Sequence, residues 1–241
     1  MIIGICGRKR HGKDSVGRIL RDHHGFHLTA FADAVKRVAM DVYGLSWEQC
    51  YGDGSEKEDV DPRWGLSPRV IMQRIGTEVG RSIHENTWVQ HTLENIALAE
   101  TYPALVPYRI RDDVARKFKI VEQGGPDDPG CARSKWAVTD VRFPNEAQAI
   151  RSAGGLVIKV VRPSLGTPTD EHPSETSVDL VYADITIVND GTLEDLALSV
   201  HSVATPTHRG VRPSALGPWH ELQSYPWFSL DEVKSRRWGK A

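Results

Sequence analysis

The chain has 241 residues, 39% of them hydrophobic, with 30 Lys and Arg against 32 Asp and Glu for a formal net charge of −2. That length and apolar content suffice for a sizeable core in one α/β domain with insertions, whereas the charge balance excludes a basic coat over the whole surface, so any polyanion must be met by local positive charge. No apolar stretch approaches the ~18 residues of a membrane span, and the N-terminal apolar run is too short for a signal peptide. Cys6, Cys50 and Cys131 are odd in number, widely spaced and without a C-x-x-C or Cys/His metal pattern. The expectation is a soluble protein of a reducing cytoplasm, without structural zinc and with no membrane partner.

The apolar run Met1 to Cys6 predicts a strand, and Val16, Ile19 and Leu20 predict a helix from about Lys13 to His23 that stops at Gly25. Between them lies Gly7-Arg8-Lys9-Arg10-His11-Gly12-Lys13-Asp14-Ser15. A strand, a tight Gly-rich turn and a helix N-terminus in that order bring backbone N–H groups and the positive end of the helix onto one anion, so the segment reads as a phosphate-binding loop with Lys13 reaching the β and γ phosphates. The spacing from Gly7 to Gly12-Lys13 fits the Walker A pattern, but Asp14 stands where that pattern wants Ser or Thr, and Ser15 comes one place late.

A strand from His27 to Phe31 and a helix from Asp33 to Val42 follow, then a polar stretch rich in Gly, Asp and Glu from Gly44 to Pro68, read as an irregular insertion. Helical spacing resumes at Val70, Ile71, Ile75 and Val79, and again from Trp88 through Leu93, Ile96 and Ala97, giving a helical lobe outside the nucleotide core. Arg109 to Lys119 carries mixed charge and Gln123 to Gly130 reads as a loop. Trp136 to Asp140 predicts a buried parallel strand, followed by a helix from Pro144 to Ala153. Leu156 to Val161 and Asp184 to Val188 predict two more strands, the last leading into a helix from Leu193 to Val203.

Repeated strand–helix alternation implies a parallel sheet flanked by helices, with ligands at the carboxyl ends of the strands. After Ala204 the composition turns to Pro, Trp, Arg and Ser, including Trp219, Trp227 and Trp238, and 205–241 reads as an appendage. Its aromatic and basic residues suit packing onto its own domain or a partner better than a clamp on nucleic acid.

Asp140-Val141-Arg142-Phe143-Pro144-Asn145-Glu146 concentrates the carboxylate chemistry. An Asp ending a buried strand beside a phosphate loop can hold Mg²⁺ through water or accept a proton from the nucleophile, and Arg142 brings the opposite charge to the same place. Phosphoryl transfer needs this mixture. The competing reading is an Asp that caps the next helix and a solvated Arg.

These segments together resemble the bacteriophage deoxynucleoside monophosphate kinases. The resemblance covers most of residues 1–204: the loop with its Gly-Lys-Asp and following hydroxyl, Phe31 to Lys36, Arg69 to Glu78, Trp88, Asp140-Val141-Arg142 with Glu146, Val160-Val161-Arg162-Pro163, His172-Pro173-Ser174-Glu175, and Ala183 to Leu193.

The resemblance implies a P-loop kinase domain over 1–204, with a helical monophosphate-binding lobe at 33–100 and a lid at 162–178. Its reaction would be Mg²⁺-dependent transfer of the γ-phosphate of ATP to a deoxynucleoside monophosphate, in the cytoplasm of a host cell if phage-encoded. Gly7, Lys9, Arg10, His11, Gly12, Lys13, Asp14 and Ser15, with Arg162 and Asn189, would bind ATP. Ser15, Asp14 and Asp140 would face the metal. Lys13, Asp140 and Arg142 would be catalytic.

Lys36, Arg69 and Arg142 would hold the acceptor phosphate through charge-assisted donors, with Lys9 bridging donor and acceptor, Glu146 beside them, and Gln73 and Trp88 on the acceptor base. Lys36 and Arg69 also suit solvated helix faces, Trp88 also suits a core, and Asn189 also suits a turn with Asp190-Gly191. The implied partners are small nucleotides, with a homodimer left open.

Two rivals stand beside this. Dephospho-coenzyme A kinase has a similar loop and final segment, but its loop should carry Ser or Thr directly after Lys. A non-kinase P-loop nucleotide switch would have no small acceptor.

Overall fold

The computed structural model describes residues 1–52, 55–101, 134–166 and 177–205. Most of the expected lid (167–176, with His172 to Glu175), the segments Arg109 to Lys119 and Gln123 to Gly130, Cys131, and the tail from 206 lie outside the described residues. The described chain divides into two compact units, one of Met1–Ala30 with the chain from Leu93 onward, the other Phe31–Thr92.

The first unit is built on five parallel strands: β1 (Ile2–Cys6), β2 (Phe26–Thr29), β3 (Lys135–Val141), β4 (Leu156–Val161) and β5 (Ile185–Val188), in the order β2-β3-β1-β4-β5. β1 is central and buried along its whole length, as its continuous apolar run requires. The helices α1 (Lys13–His24) and α6 (Pro144–Ser152) make crossovers between strands, and with α7 (Leu193–Ala204), which follows β5, they form the outer layers.

Alternation along β1 separates the two faces. Ile3 and Ile5 share a core with Val16 and Leu20 of α1 and Leu196 and Val200 of α7. A side chain at Gly4 would instead meet Ile150 of α6 at 2.6 Å. Because β1 has β3 on one side and β4 on the other, the chain reverses its direction of travel across the sheet here, and the crevice outside the carboxyl ends of these strands is where such sheets take ligands.

The register between β1 and β3 slips near that edge: Gly4 pairs with Val138 but Cys6 pairs with Val141. Two steps on β1 are thus matched by three on β3, a bulge over Thr139 and Asp140. A bulge re-aims the side chains it contains, and here Asp140 is half-buried while Thr139 and Val141 on either side are buried.

The second unit holds α2 (Ala32–Tyr43), α3 (Trp47–Tyr51), α4 (Pro68–Gln73) and the start of α5 (Thr87–Thr101) around a separate core of Val35, Ala39, Leu45, Cys50, Ile71 and Ile75. Two expectations change here. The stretch Gly44 to Pro68, read as irregular, contains α3, whose Ser46 and Gln49 exchange side-chain-to-backbone bonds as a capping box (2.8 and 3.1 Å), and a 3₁₀ turn at Ser55–Lys57.

Asp61, buried among these residues, accepts from the backbone and guanidinium of Arg63 and from Gln49, so the polar side chains supply the order that apolar ones do elsewhere. The regular helix expected through Val79 becomes α4 followed by a π-helical segment, Arg74–Arg81, within which the Gly76 carbonyl accepts the Trp88 indole N–H at 2.8 Å. No helix of the described residues is long and apolar enough to cross a membrane.

Candidate active site

The turn after β1 is shaped by three residues with positive φ: Gly7 (147°), Arg10 (67°) and Gly12 (101°). Glycine is required at Gly7 on steric grounds as well, and at Gly12 a side chain would press on Asn189. A Cβ at Gly7 would lie 2.5 Å from the Val160 carbonyl oxygen of β4, and one at Gly12 would lie 2.2 Å from the Asn189 amide nitrogen. Gly12 is also the N-cap of α1 and offers no side-chain cap, so the first N–H groups of a twelve-residue helix open onto the loop with their partial positive charge. Lys13, the first helical residue, is half-buried and donates from Nζ to the Arg8 carbonyl at 2.8 Å. Asp14, Lys9 and Arg10 are exposed, and Ser15 is half-buried in the first turn.

Three distant segments hold this loop. The His11 ring is buried, and its Nδ1 accepts the Arg162 backbone N–H at 3.2 Å, while the His11 carbonyl accepts the Asn189 amide at 3.0 Å. Burial pushes the His11 pKa down, which favours the neutral imidazole that this acceptor role needs. The third hold is the forked pair between Arg8 and Asp179, with Nε to Oδ1 at 3.1 Å and a second bond from the terminal nitrogen to Oδ2. A cavity of about 320 Å³ lies against the loop, lined by Gly7, Arg8, His11, Lys159, Gly166 and Asp179 among others. Cys6, just before the loop, is buried with its thiol pushed up to about 11, so it stays protonated at neutral pH.

At the neighbouring strand end, Glu146 is 2% exposed and its Oε2 accepts the backbone N–H groups of Arg142 (2.7 Å) and Phe143 (3.0 Å). One carboxylate thus caps the start of α6 and fixes the backbone that carries Arg142. Glu146→Ala should destabilise the protein by about 1 to 3 kcal/mol, since it strands donors that folding has taken out of water. A denaturation midpoint equal to that of the unchanged protein would contradict this.

The remaining sequence-predicted residues, Lys36, Arg69, Gln73 and Trp88, belong to the second unit. There the Lys36 ammonium sits 4.1 Å from the centre of the Tyr51 ring, the half-buried Arg69 pairs with Glu58 at 2.5 Å, and Gln73 is half-buried where α4 passes into the π segment. Trp88 packs against the second core and commits its N–H to Gly76. Sequence reasoning missed Arg8 with Asp179, and Ser164, whose backbone N–H and hydroxyl both reach Asp190 (3.2 and 2.7 Å). The paired residues are 171 and 26 positions apart, and no local pattern signals such pairs.

Among the described residues no three His, Cys, Asp or Glu side chains converge as a metal cage. Ser15 and Asp140 nevertheless offer hard oxygen donors at the loop and the adjacent strand end, a set that suits Mg²⁺ completing its shell with phosphate oxygens and water.

A family model described as deoxynucleotide monophosphate kinase matches residues 126–200. The deoxynucleoside-5'-monophosphate kinase of Escherichia phage T5 is 30% identical over 146 residues, 57% of this chain and 45% of the phage protein, so the match spans about half of that relative. Among solved structures, shikimate kinase from Aquifex aeolicus vf5 aligns over 85% of this chain and 100% of its own at 13% identity and a TM-score of 0.40. A protein of Acanthamoeba polyphaga mimivirus, named by inference as a deoxynucleotide monophosphate kinase, is 34% identical over 197 residues, which cover 81% of this chain and 91% of the relative. With that identity over nearly the whole of a relative, the chain belongs to the deoxynucleotide monophosphate kinase family.

Proposed function

We propose that the protein transfers the γ-phosphate of ATP to the phosphate of a deoxynucleoside monophosphate, giving the diphosphate and ADP. The observation that carries this reading is the anion cradle of Gly7–Ser15 on an uncapped helix N-terminus with Lys13 at its mouth, in a chain of this family. In the reaction an oxygen of the acceptor phosphate forms a bond to the γ-phosphorus, the bond from that phosphorus to the bridging oxygen breaks, and ADP leaves with the electron pair. The acceptor oxygen is already anionic at neutral pH. The protein therefore has charge to neutralise and groups to align rather than a proton to remove.

Lys13 and the loop N–H groups follow the charge of the moving phosphoryl group. Arg142 meets the acceptor phosphate from a backbone held by Glu146, and Asp140 aligns the reacting groups. Bound Mg²⁺, held by Ser15, Asp14 or Asp140, would neutralise charge on the donor phosphates. Arg162 and Asn189, tied to His11, keep the donor side in register. Lys36, Arg69, Gln73 and Trp88 serve the acceptor, the first two through its phosphate. With the Trp88 N–H committed to Gly76, only its ring is left for stacking on a base.

ADP release measured against a panel of deoxy- and ribonucleoside monophosphates tests the reading. Turnover should depend on the monophosphate and be faster with the deoxy series. ADP release indifferent to any monophosphate would favour a nucleotide switch and overturn it. In the same assay Lys36→Ala and Arg69→Ala should each raise KM for the monophosphate by about 10- to 150-fold, the loss of one charge-assisted contact, with KM for ATP little changed. A rise confined to ATP would reassign these residues to the donor.

A further inference from the structure

We infer that Asp179 is a positioning residue for the phosphate loop, holding Arg8 and, through the Arg8 carbonyl, Lys13. The inference rests on the reading of Gly7–Ser15 as the ATP cradle. The Arg8 carbonyl is a node of that loop, since it accepts both the Lys13 ammonium at 2.8 Å and the His11 backbone N–H at 3.3 Å. The direction of that carbonyl sets where the ammonium waits. The Arg8 side chain is in turn forked onto both oxygens of the Asp179 carboxylate. A planar guanidinium gripped at two points has a fixed direction, which a single-point ammonium contact would not impose.

Asp179 does not belong to the loop. It sits in the 3₁₀ turn Ser177–Leu180, whose Val178 is buried and whose Val178 carbonyl accepts the Lys159 ammonium of β4 at 3.3 Å. The loop is thereby tied to β4 through a residue that lies outside it in the chain. The Arg8 bond holds the Asp179 carboxyl below the usual carboxylate range, so the pair is ionised throughout the neutral range.

An ordinary ion pair with the partners this exposed, 23% and 47%, contributes little to stability. The role inferred here is geometric, and it should register in ATP use rather than in melting. With the full-length protein, Asp179→Ala should raise KM for ATP by about tenfold, leave KM for the monophosphate within about twofold, and leave the melting temperature unchanged. Arg8→Lys keeps the charge and loses the fork, so it should behave like Asp179→Ala. Asp179→Glu should recover most of the loss, and the double variant Arg8→Ala with Asp179→Ala should be no worse than either single change.

Asp179→Ala kinetics equal to those of the unchanged protein overturn the inference. So does a lower KM for ATP, which would mean that Asp179 restrains Arg8 from the phosphates, and so does an equal rise in both KM values together with a lower melting temperature. The unchanged protein and Lys13→Ala run in the same series separate the two readings. If Lys13→Ala turns over ATP normally, the cradle reading falls and takes this one with it. If Lys13→Ala is inactive and Asp179→Ala is normal, only the positioning role falls.

Discussion

Lys13→Ala should lose at least ~100-fold in kcat while the protein melts within a few degrees of its usual temperature. The first half follows from the position of the ammonium at the mouth of the loop, where under the proposed function it would follow the phosphoryl group as negative charge shifts toward the bridging oxygen. The second half follows from what holds the Lys13 side chain in the fold. Its ammonium makes a bond to the Arg8 carbonyl, and its stem is only half-buried. One such bond is worth roughly 1 kcal/mol net, or about 2 to 4 °C in a protein of this size. Steady-state ADP production and a thermal melt on the same preparation decide it. Near-normal turnover would remove the nucleotide from this loop.

Asp140→Asn separates binding from transfer. The substitution conserves shape and keeps a hydrogen-bonding group in the bulge of β3, so the packing of Thr139 and Val141 on either side is undisturbed. What it deletes is the negative charge that, under the proposed function, would hold Mg²⁺ and align the acceptor at the carboxyl end of a strand adjoining β1. ATP should bind within ~10-fold of normal while kcat falls by ~100-fold or more, the pattern of a group acting mainly in the transition state. Equilibrium titration of ATP beside single-turnover kinetics makes the comparison. Normal turnover in the Asn variant would reduce Asp140 to a residue that shapes the start of α6.

Much of the fold was legible in the residues because its signals are local. A buried strand, a Gly-rich turn and an amphipathic helix follow one another within the first two dozen residues, and the period of their apolar positions reports which face each buries. The Ser46-x-x-Gln49 cap is equally local, but the polar composition around it hides the signal. Glu146 is the opposite case. Its presence near Arg142 was plain, but that the carboxylate turns back onto the Arg142 and Phe143 N–H groups depends on the chain folding over at the end of β3.

By itself the sequence determined an alternating α/β chain, a Gly-rich strand-to-helix loop from Gly7 to Ser15, the gathering of Lys13, Asp140 and the loop after Arg162 at the carboxyl ends of the strands, and a resemblance to the kinase family to which the chain belongs. Only the tertiary structure decided the order of the strands, the bulge that sets Asp140, the seat of Trp88 in its own core, and the holds on the loop from Asp179, Arg162 and Asn189. Those holds join residues more than 150 positions apart. Periodicity records which face of an element is buried, but it carries no information about which distant element will lie against that face. The partner of Arg8 or His11 is therefore settled only when the sheet brings its carboxyl ends together.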